Sequence, residues 1–256
     1  MKNREIYSEL RVIPPIVVRI DGRNFKNTLQ RLQFKKPYSI KFAKAMADSI
    51  ELFFRDSGLN PILGYTFSDE INLLFFELPF KGRVEKLDSI IPSFFSSALT
   101  ILLTSYLKIP SIGAGAVLSF DARVILLNKD NIIEYLVWRQ AEAWRNHVNS
   151  YGFYTLLEKG LSEKEASLKL KGMKSSEIHE MLFSEDNINL AKTPTWQRRG
   201  ILVYKESYEK TGFDPIKKVE CIAKRARVVQ NWEIPLFTSI EGIDLINKII
   251  QLLKKV

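Results

Sequence analysis

The chain has 256 residues, and 46% of them are apolar, which is enough for a folded domain with a sizeable core. Its formal net charge is +9, from 38 basic and 29 acidic residues, and this balance favours a polyanionic partner such as nucleic acid. Because Cys221 is the only cysteine, an intramolecular disulfide and a thiolate metal cluster are both excluded. This cysteine usage is typical of the reducing cytoplasm, where we expect the protein to work.

Three strand-like runs occur in the first 76 residues. The first covers Ile16 to Ile20, a continuous β-branched run that ends at Asp21. Leu63 to Phe67 and Ile71 to Phe76 are the other two, and only three polar residues separate them. This spacing predicts a β-hairpin with acidic residues at its tip.

Two helices are predicted between and after these strands. Apolar residues recur at steps of three and four from Pro37 to Phe54, which indicates a helix with one face in the core. A second helix is predicted over Ser93 to Leu107, with Pro92 in its first turn. The uncharged stretch around it is the one candidate membrane span, but its proline and many hydroxyl residues favour a buried helix. A strand over Ala116 to Leu127 follows.

The order of these elements is βαββαβ, which predicts an α+β, ferredoxin-like domain of the kind found in polymerase palms and nucleotide cyclases. We expect residues 1–130 to form this palm-type catalytic domain and residues 131–256 to form a mostly helical extension packed on it. The extension's predicted elements are helices over Ile132–Glu158, Ser162–Leu170 and Ser176–Phe183, a strand over Ile201–Tyr204 and a helix over Gly242–Lys255.

The acidic residues at the strand ends are candidate ligands for a divalent cation. Asp21 and Asp69 supply carboxylates, and Gly22 leaves its own carbonyl oxygen open to a hard cation such as Mg²⁺. Glu70 offers a further oxygen. Turn formation is the competing interpretation, since Asp-Gly and Ser-Asp are common turn dipeptides. Only the joint placement of the acids on a palm-like order raises the metal site to an equal alternative.

Basic residues follow the acids at several points. Those directly after the first acid, Arg23 to Lys26, could cradle phosphates, and a charged loop without such a role is the alternative. Lys36 and Lys86 before the two helices are further candidates, although solvated surface lysines are more common. The stretch Lys217 to Arg227 is a candidate contact for an RNA backbone, although charged runs more often only face water. The two histidines are too few and too far apart to predict a metal site or a triad.

An ordered series of motifs gives the chain a family resemblance. It resembles tRNA(His) guanylyltransferase and its Thg1-like relatives, which add nucleotides in the 3′ to 5′ direction. The motifs that carry the resemblance are IVVRIDGRNF at 16–25, FKKP at 34–37, YTFSDE at 65–70, FDARV at 120–124, WRQAE at 138–142, LKGMKSSEIHEMLF at 170–183 and QRRG at 197–200.

The resemblance implies a set of roles for individual residues. Asp21, the Gly22 carbonyl and Asp69 would bind two Mg²⁺ ions, with Glu70 supporting them as a third catalytic acid. The nucleoside triphosphates ATP and GTP would be held by Arg23, Asn24, Phe25, Lys26 and Ser68, and the triphosphate or the RNA 5′ end by Lys36, Lys86 and Arg123. In the family, ATP activates a 5′-phosphate on tRNA and the 3′-hydroxyl of GTP then attacks it. A homotetramer is implied as well.

Two departures from the eukaryotic pattern indicate the archaeal and bacterial branch of the family. Lys26 stands where eukaryotic members have a histidine, and Trp144 to Ser150 replace a motif that follows WRQAE in those members. Two activities are therefore both compatible with the sequence: addition of one guanylate to tRNA(His) only, and templated repair of truncated tRNA 5′ ends. The alternatives from other classes are a palm-type nucleotide cyclase, which needs no RNA, and a catalytically inactive tRNA-binding protein.

Overall fold

The protein is built around one six-stranded sheet in which every neighbouring pair of strands is antiparallel. The structure is a computed structural model that describes residues 4–107, 117–214 and 219–252. Its strands are β1 (Ile16–Arg23), β2 (Leu63–Phe67), β3 (Glu70–Phe75), β4 (Ser119–Leu126), β5 (Ile201–Asp214) and β6 (Val219–Asn231). They lie side by side in the order β4-β1-β3-β2-β5-β6.

Helices cover both faces of the sheet. In chain order the described α-helices are α1 (Phe25–Arg31), α2 (Ile40–Asp56), α3 (Val84–Leu107), α4 (Ile132–Glu158), α5 (Glu163–Leu170), α6 (Ser175–Asp186), α7 (Thr195–Arg199) and α8 (Ile240–Leu252). On one face, α2 and α3 pack on the alternate strand residues that include Val18 and Leu73. On the other face, α4 and α8 pack on Val17 and Leu74. This alternation is what a strand buried on both sides requires.

The predicted ferredoxin-like fold is confirmed. Strands β1 to β4 take the order 4-1-3-2, and α2 and α3 are the two helices that connect them on one face. Strand β1 extends three residues past its buried part, so that Asp21 pairs with Glu70 of β3 and with Asp121 of β4. The acids of the two motifs therefore meet at one end of the central strands.

Helices of the second half begin and end close to the predicted positions. Helix α4 has the predicted bounds, Ile132 and Glu158. The predicted capping box forms at α5, where the Glu165 amide donates to the Ser162 hydroxyl at 3.3 Å and the Ser162 amide donates to the Glu165 carboxylate at 2.8 Å.

Helix α3 begins nine residues earlier than the sequence predicts, at Val84 instead of Ser93. Pro92 lies inside the helix and is buried, although a proline there removes one backbone hydrogen bond. Packing of the buried side of α3, which includes Leu87, Phe95 and Leu103, offsets that loss. By length and composition α3 matches a membrane span, so the expected absence of a membrane segment stays a prediction.

The second half contributes more strand than the sequence predicts. Strand β5 continues to Asp214 rather than ending at Tyr204, and β6 pairs with it along Val219 to Asn231. Since β5 also pairs with β2, these strands continue the palm sheet. Within the predicted basic stretch, Lys217 and Lys218 lie outside the described residues, while Arg227 of β6 forms an ion pair with Glu206 at 2.9 Å.

Candidate active site

The tight turn between β2 and β3 places one of the two predicted metal acids. Phe67 pairs with Glu70, so that Ser68 and Asp69 are the only residues in the turn. Ser68 has a φ of 50°, as the first central position of a two-residue hairpin turn often requires. Its hydroxyl donates to Asp69 Oδ1 at 3.0 Å. This hydrogen bond orients the Asp69 carboxylate at the sheet end.

Asp69 lies directly against the backbone of Gly22. A Cβ atom added to Gly22 would lie 2.8 Å from Asp69 Oδ2 and 2.5 Å from the Phe25 ring, so only glycine fits between them. Burial, and secondly the nearby carboxylate of Asp21, raises the pKa of Asp69 to about 6. The structure therefore brings together the three residues predicted to bind metal.

Glu70 is the third predicted acid, and the structure pairs its carboxylate with an arginine of α4. Its Oε1 accepts from Arg139 Nε at 2.9 Å and its Oε2 from Arg139 Nη2 at 2.8 Å. Asn72 Nδ2 donates a further hydrogen bond to Oε1 at 2.8 Å. Because both carboxylate oxygens are engaged in a buried ion pair, this arrangement favours a positioning role for Glu70 over metal binding.

A pocket of about 220 Å³ opens beside the β2–β3 turn, bounded by α1, the start of α2, and residues from α4 and α7. Four of the residues predicted to hold the nucleotide or the RNA 5′ end line it, namely Phe25, Lys26, Lys36 and Ser68, together with the predicted metal acid Asp69. Its other walls are largely apolar and aromatic, and they include Phe34, Phe42, Tyr38 and Trp196. A pocket with cationic groups beside an apolar wall has the chemistry to hold a triphosphate together with a base.

The two lysines of the pocket lie in different electrostatic surroundings. Burial lowers the pKa of Lys36, and the Lys26 ammonium acts in the same direction, while the Asp69 carboxylate opposes both. Lys26 is more exposed and forms an ion pair with Glu163 at the start of α5, with 2.7 Å between Nζ and the carboxylate oxygen. A triphosphate entering the pocket would therefore meet two different cations. The Lys36 ammonium is half-buried, and the Lys26 ammonium already has Glu163 as its counter-charge.

Four predicted contacts do not line the pocket. Arg23 is exposed at the end of β1, and Asn24 adopts a left-handed conformation at the start of α1. Arg123 is on β4 opposite Arg19, two residues along the strand from Asp121. Lys86 lies in the first turn of α3, which starts at the end of the sheet opposite to the acids. Within one chain Lys86 is therefore not brought to this site.

The sequence reasoning missed part of the pocket wall. Tyr38, Ser150, Tyr154 and Trp196 come from the start of α2, from α4 and from α7, far apart in the chain. Tyr38 contacts Trp196 edge to face, with 5.8 Å between the ring centroids. The FKKP and QRRG motifs and the segment from Trp144 to Ser150 were the marks of these regions in the sequence.

One of the two histidines, His147, packs among aromatic side chains. Its side chain is fully buried in α4, between Tyr38, Trp144 and Tyr151. Its Nε2 lies 3.0 Å from the Thr193 hydroxyl. Burial lowers the pKa of His147 to about 3, which keeps the ring neutral.

Two family models together match nearly the whole chain. The model described as tRNAHis guanylyltransferase matches residues 1–128, and the model described as Thg1 C terminal domain matches residues 130–245. The probable tRNA(His) guanylyltransferase of Drosophila melanogaster is 33% identical over 198 residues, covering 75% of this chain and 67% of the relative. The Candida glabrata tRNA(His) guanylyltransferase is 33% identical over 196 residues, covering 73% and 81%.

Solved structures agree with these sequence matches. The crystal structure of the Saccharomyces cerevisiae tRNA(His) guanylyltransferase is 28% identical, with a TM-score of 0.67 over 78% of this chain and 90% of that one. A bacterial Thg1-like protein in complex with ATP has a TM-score of 0.75 and 23% identity, covering 97% of this chain and 96% of its own, and shares the fold. From its sequence matches and its fold, the chain belongs to the tRNA(His) guanylyltransferase (Thg1) family.

Proposed function

We propose that the protein is a nucleotidyltransferase that adds guanylate or other nucleotides to the 5′ end of tRNA in the 3′ to 5′ direction. The observation that carries this proposal is the pocket in which Lys26, Lys36, Ser68 and Asp69 converge. It lies beside Asp21 and Gly22, in a chain whose relatives are named for guanylyl transfer to tRNA(His). The Thg1-like structures in complex with ATP and with GTP support a nucleoside triphosphate as the ligand.

The residues at the sheet end fit a magnesium site. Asp69 is a buried carboxylate beside a second carboxylate, and a cation would relieve their repulsion. Asp21, Asp69 and the Gly22 carbonyl would hold Mg²⁺, and phosphate oxygens of the nucleotide would complete the ligand set. When bound, Mg²⁺ supplies charge neutralisation at the transferring phosphate. We infer two such ions from the family resemblance.

The reaction we propose has two transfers. In the first, an oxygen of the tRNA 5′-phosphate attacks the α-phosphorus of ATP, and pyrophosphate leaves. In the second, the 3′-hydroxyl of GTP attacks the phosphorus of the activated 5′ end, and AMP leaves. Lys26 and Lys36 would bind and orient the triphosphate, while the Ser68 hydroxyl keeps the Asp69 carboxylate turned toward Gly22.

Alanine substitution of the metal acids tests the proposal. We expect Asp21→Ala and Asp69→Ala each to lower incorporation of labelled GTP into 5′-phosphorylated tRNA by at least 1,000-fold, about 4 kcal/mol of transition-state stabilisation. Asp56→Ala, which removes an exposed carboxylate at the end of α2, is the matched control and keeps its activity. Full incorporation by both site variants would disprove the assignment.

The same assay separates the competing functions. With full-length and 5′-truncated tRNAs and each nucleotide in turn, additions that follow the opposite-strand base indicate templated repair, and a fixed guanylate indicates tRNA(His) maturation. A cyclic nucleotide formed without RNA would indicate a cyclase instead. Binding of tRNA without any turnover would indicate an inactive binding protein.

A further inference from the structure

A buried ion pair joins the catalytic hairpin to the longest helix of the second half. Arg139 of α4 and Glu70 of β3 are 5% and 9% exposed, and two hydrogen bonds of 2.9 and 2.8 Å connect them. The guanidinium is itself held in place, because it lies 4.3 Å from the centroid of the Trp138 ring and 5.6 Å from that of Phe67. An arginine fork held this way fixes the carboxylate in both position and orientation.

Polar neighbours complete this arrangement around Glu70. Asn72 donates to the Glu70 carboxylate at 2.8 Å, and the Tyr135 hydroxyl of α4 donates to Asn72 Oδ1 at 2.5 Å. The Thr66 hydroxyl donates to the Glu70 backbone carbonyl at 2.8 Å. Both the side chain and the backbone of Glu70 are therefore fixed from two elements, β2 and α4.

Glu70 is directly next to Asp69 in the turn and directly opposite Asp21 in the sheet. We propose that Arg139 is a positioning residue that acts through Glu70 to hold the β2–β3 turn, and with it the Asp69 carboxylate, in register with Gly22 and Asp21. The inference deepens the proposed function and rests on it. Glu70 serves in this arrangement as the anchor of the turn, and the metal ligands are its neighbours.

The physical reason is the cost of leaving a buried charge without its partner. If β3 slid or the turn rotated, the Glu70 carboxylate would leave the guanidinium and remain in an apolar environment. The ion pair therefore penalises any displacement of the turn. Since Asp69 is the adjacent residue, a small shift there would separate its carboxylate from Gly22.

Binding of Mn²⁺ without RNA distinguishes positioning from simple electrostatics, because Mn²⁺ takes the same carboxylate and water ligands as Mg²⁺. Arg139→Gln removes a positive charge near the acids, so electrostatics alone predicts tighter binding of a cation. We expect the opposite: Mn²⁺ affinity at least tenfold weaker by calorimetry, with kcat for nucleotide addition lowered at least tenfold. Asp69→Ala measures the loss when a ligand itself is absent.

A double variant separates the anchor role of Glu70 from a ligand role. In Glu70→Gln with Arg139→Gln, no buried charge is left alone and the two amides can hydrogen-bond, so we expect Mn²⁺ affinity and kcat to recover part of the loss. Were Glu70 a ligand, the double variant would bind Mn²⁺ more weakly than Arg139→Gln. Lys159→Gln, which breaks the ion pairs of the residue after α4 with Glu185 and Asp186 of α6, is the matched control.

All variants are compared below their unfolding temperature. If Arg139→Gln does not fold, Arg139→Lys alone replaces it: this variant keeps the charge but loses the two-pronged hydrogen bond, so electrostatics predicts unchanged Mn²⁺ binding and we expect it to be weaker. Unchanged or tighter Mn²⁺ binding by the Arg139 variant would overturn the proposal, as would a double variant weaker than the single one. Because Mn²⁺ binding needs no RNA, failure of the proposed function would appear separately, as a wild-type protein that binds Mn²⁺ and adds no nucleotide.

Discussion

At the scale of single residues, the site depends on a glycine that leaves room for a carboxylate. Gly22→Ala would place a methyl group within 2.8 Å of Asp69 Oδ2 and 2.5 Å of the Phe25 ring. We expect kcat for nucleotide addition to fall on the order of 100-fold, because one of the two acids must move. Steady-state kinetics measures this fall, and an unchanged kcat would contradict the prediction.

Glu163 competes with a triphosphate for Lys26. Because their ion pair spans 2.7 Å and both side chains are half exposed, its strength is that of a surface pair, about 0.2–1 kcal/mol. We predict that Glu163→Gln lowers KM for the nucleotide roughly 1.5- to 5-fold, the equivalent of that energy, and leaves kcat unchanged. A raised KM would show instead that Glu163 helps to form the pocket. Glu180→Gln on the exposed side of α6 is the control.

At the scale of elements, helix α4 carries a buried histidine whose neutrality depends on pH. Its pKa is about 3 in the folded protein, against 6.5 ordinarily, so below pH 6.5 only the unfolded chain binds this proton. Stability from this group is therefore full above pH 6.5 and falls as the pH drops toward 3, by about 1.4 kcal/mol per unit. When the pH is lowered from 7.5 to 5.5, we expect the free energy of unfolding of the wild type to fall by about 1.4 kcal/mol more than that of His147→Gln. Denaturant unfolding at the two pH values measures this difference.

Parallel pH curves for the wild type and His147→Gln would contradict this prediction. His179→Gln provides the matched control, since His179 contacts the same Trp144 ring from α6. If both histidine variants changed the pH dependence of the unfolding free energy equally, the effect would come from the aromatic cluster and not from titration of His147.

The sequence predicts elements well where one local pattern decides them. Helix α4 begins and ends at the predicted residues, and a Ser-Glu capping box located the start of α5. It predicts poorly where distant partners decide. The charged run that includes Lys224 and Arg225 is a strand only because β5 pairs with it, and Pro92 concealed the first turns of α3 because core packing offsets the lost hydrogen bond.

The same distinction applies to the site. Asp21 and Asp69 were predicted because acids that end apolar runs stand out locally. The ion pair between Glu70 and Arg139 was not predicted, because the two residues are 69 positions apart in the chain. A carboxylate in a motif also gives no sign of which partner its side chain will meet. Tyr38 and Trp196 were not predicted as pocket residues either, because they form a wall only when the regions of α2 and α7 come together in the fold.

At the scale of the whole molecule, the net charge of +9 leads us to expect salt-sensitive binding of tRNA. If about four phosphates of tRNA are neutralised, affinity should fall on the order of 100-fold between 50 and 200 mM salt. Filter binding or fluorescence anisotropy at several salt concentrations measures the slope. A salt-independent affinity would show that tRNA is held without its backbone charge.

Assembly is a further property of the whole molecule. We propose a homo-oligomer, a tetramer by the family resemblance, and light scattering after size exclusion would measure its mass. The position of Lys86 bears on assembly, because Lys86 lies at the end of the sheet away from the acids of its own chain. Its predicted contact with the nucleotide or the RNA 5′ end would then be made at the site of another copy of the chain. A mass equal to one chain would remove the proposal.

The continuity of the sheet also affects how the protein folds during its synthesis on the ribosome. Strand β2 is made long before β5, its partner on the outer side, and Glu70 is made long before Arg139. Until both partners emerge, β2 has an unpaired edge and Glu70 has no counter-charge. On the proposed function, the nascent palm would therefore carry its metal-binding acids before their anchor exists, and competence for catalysis would arrive only with the second half of translation.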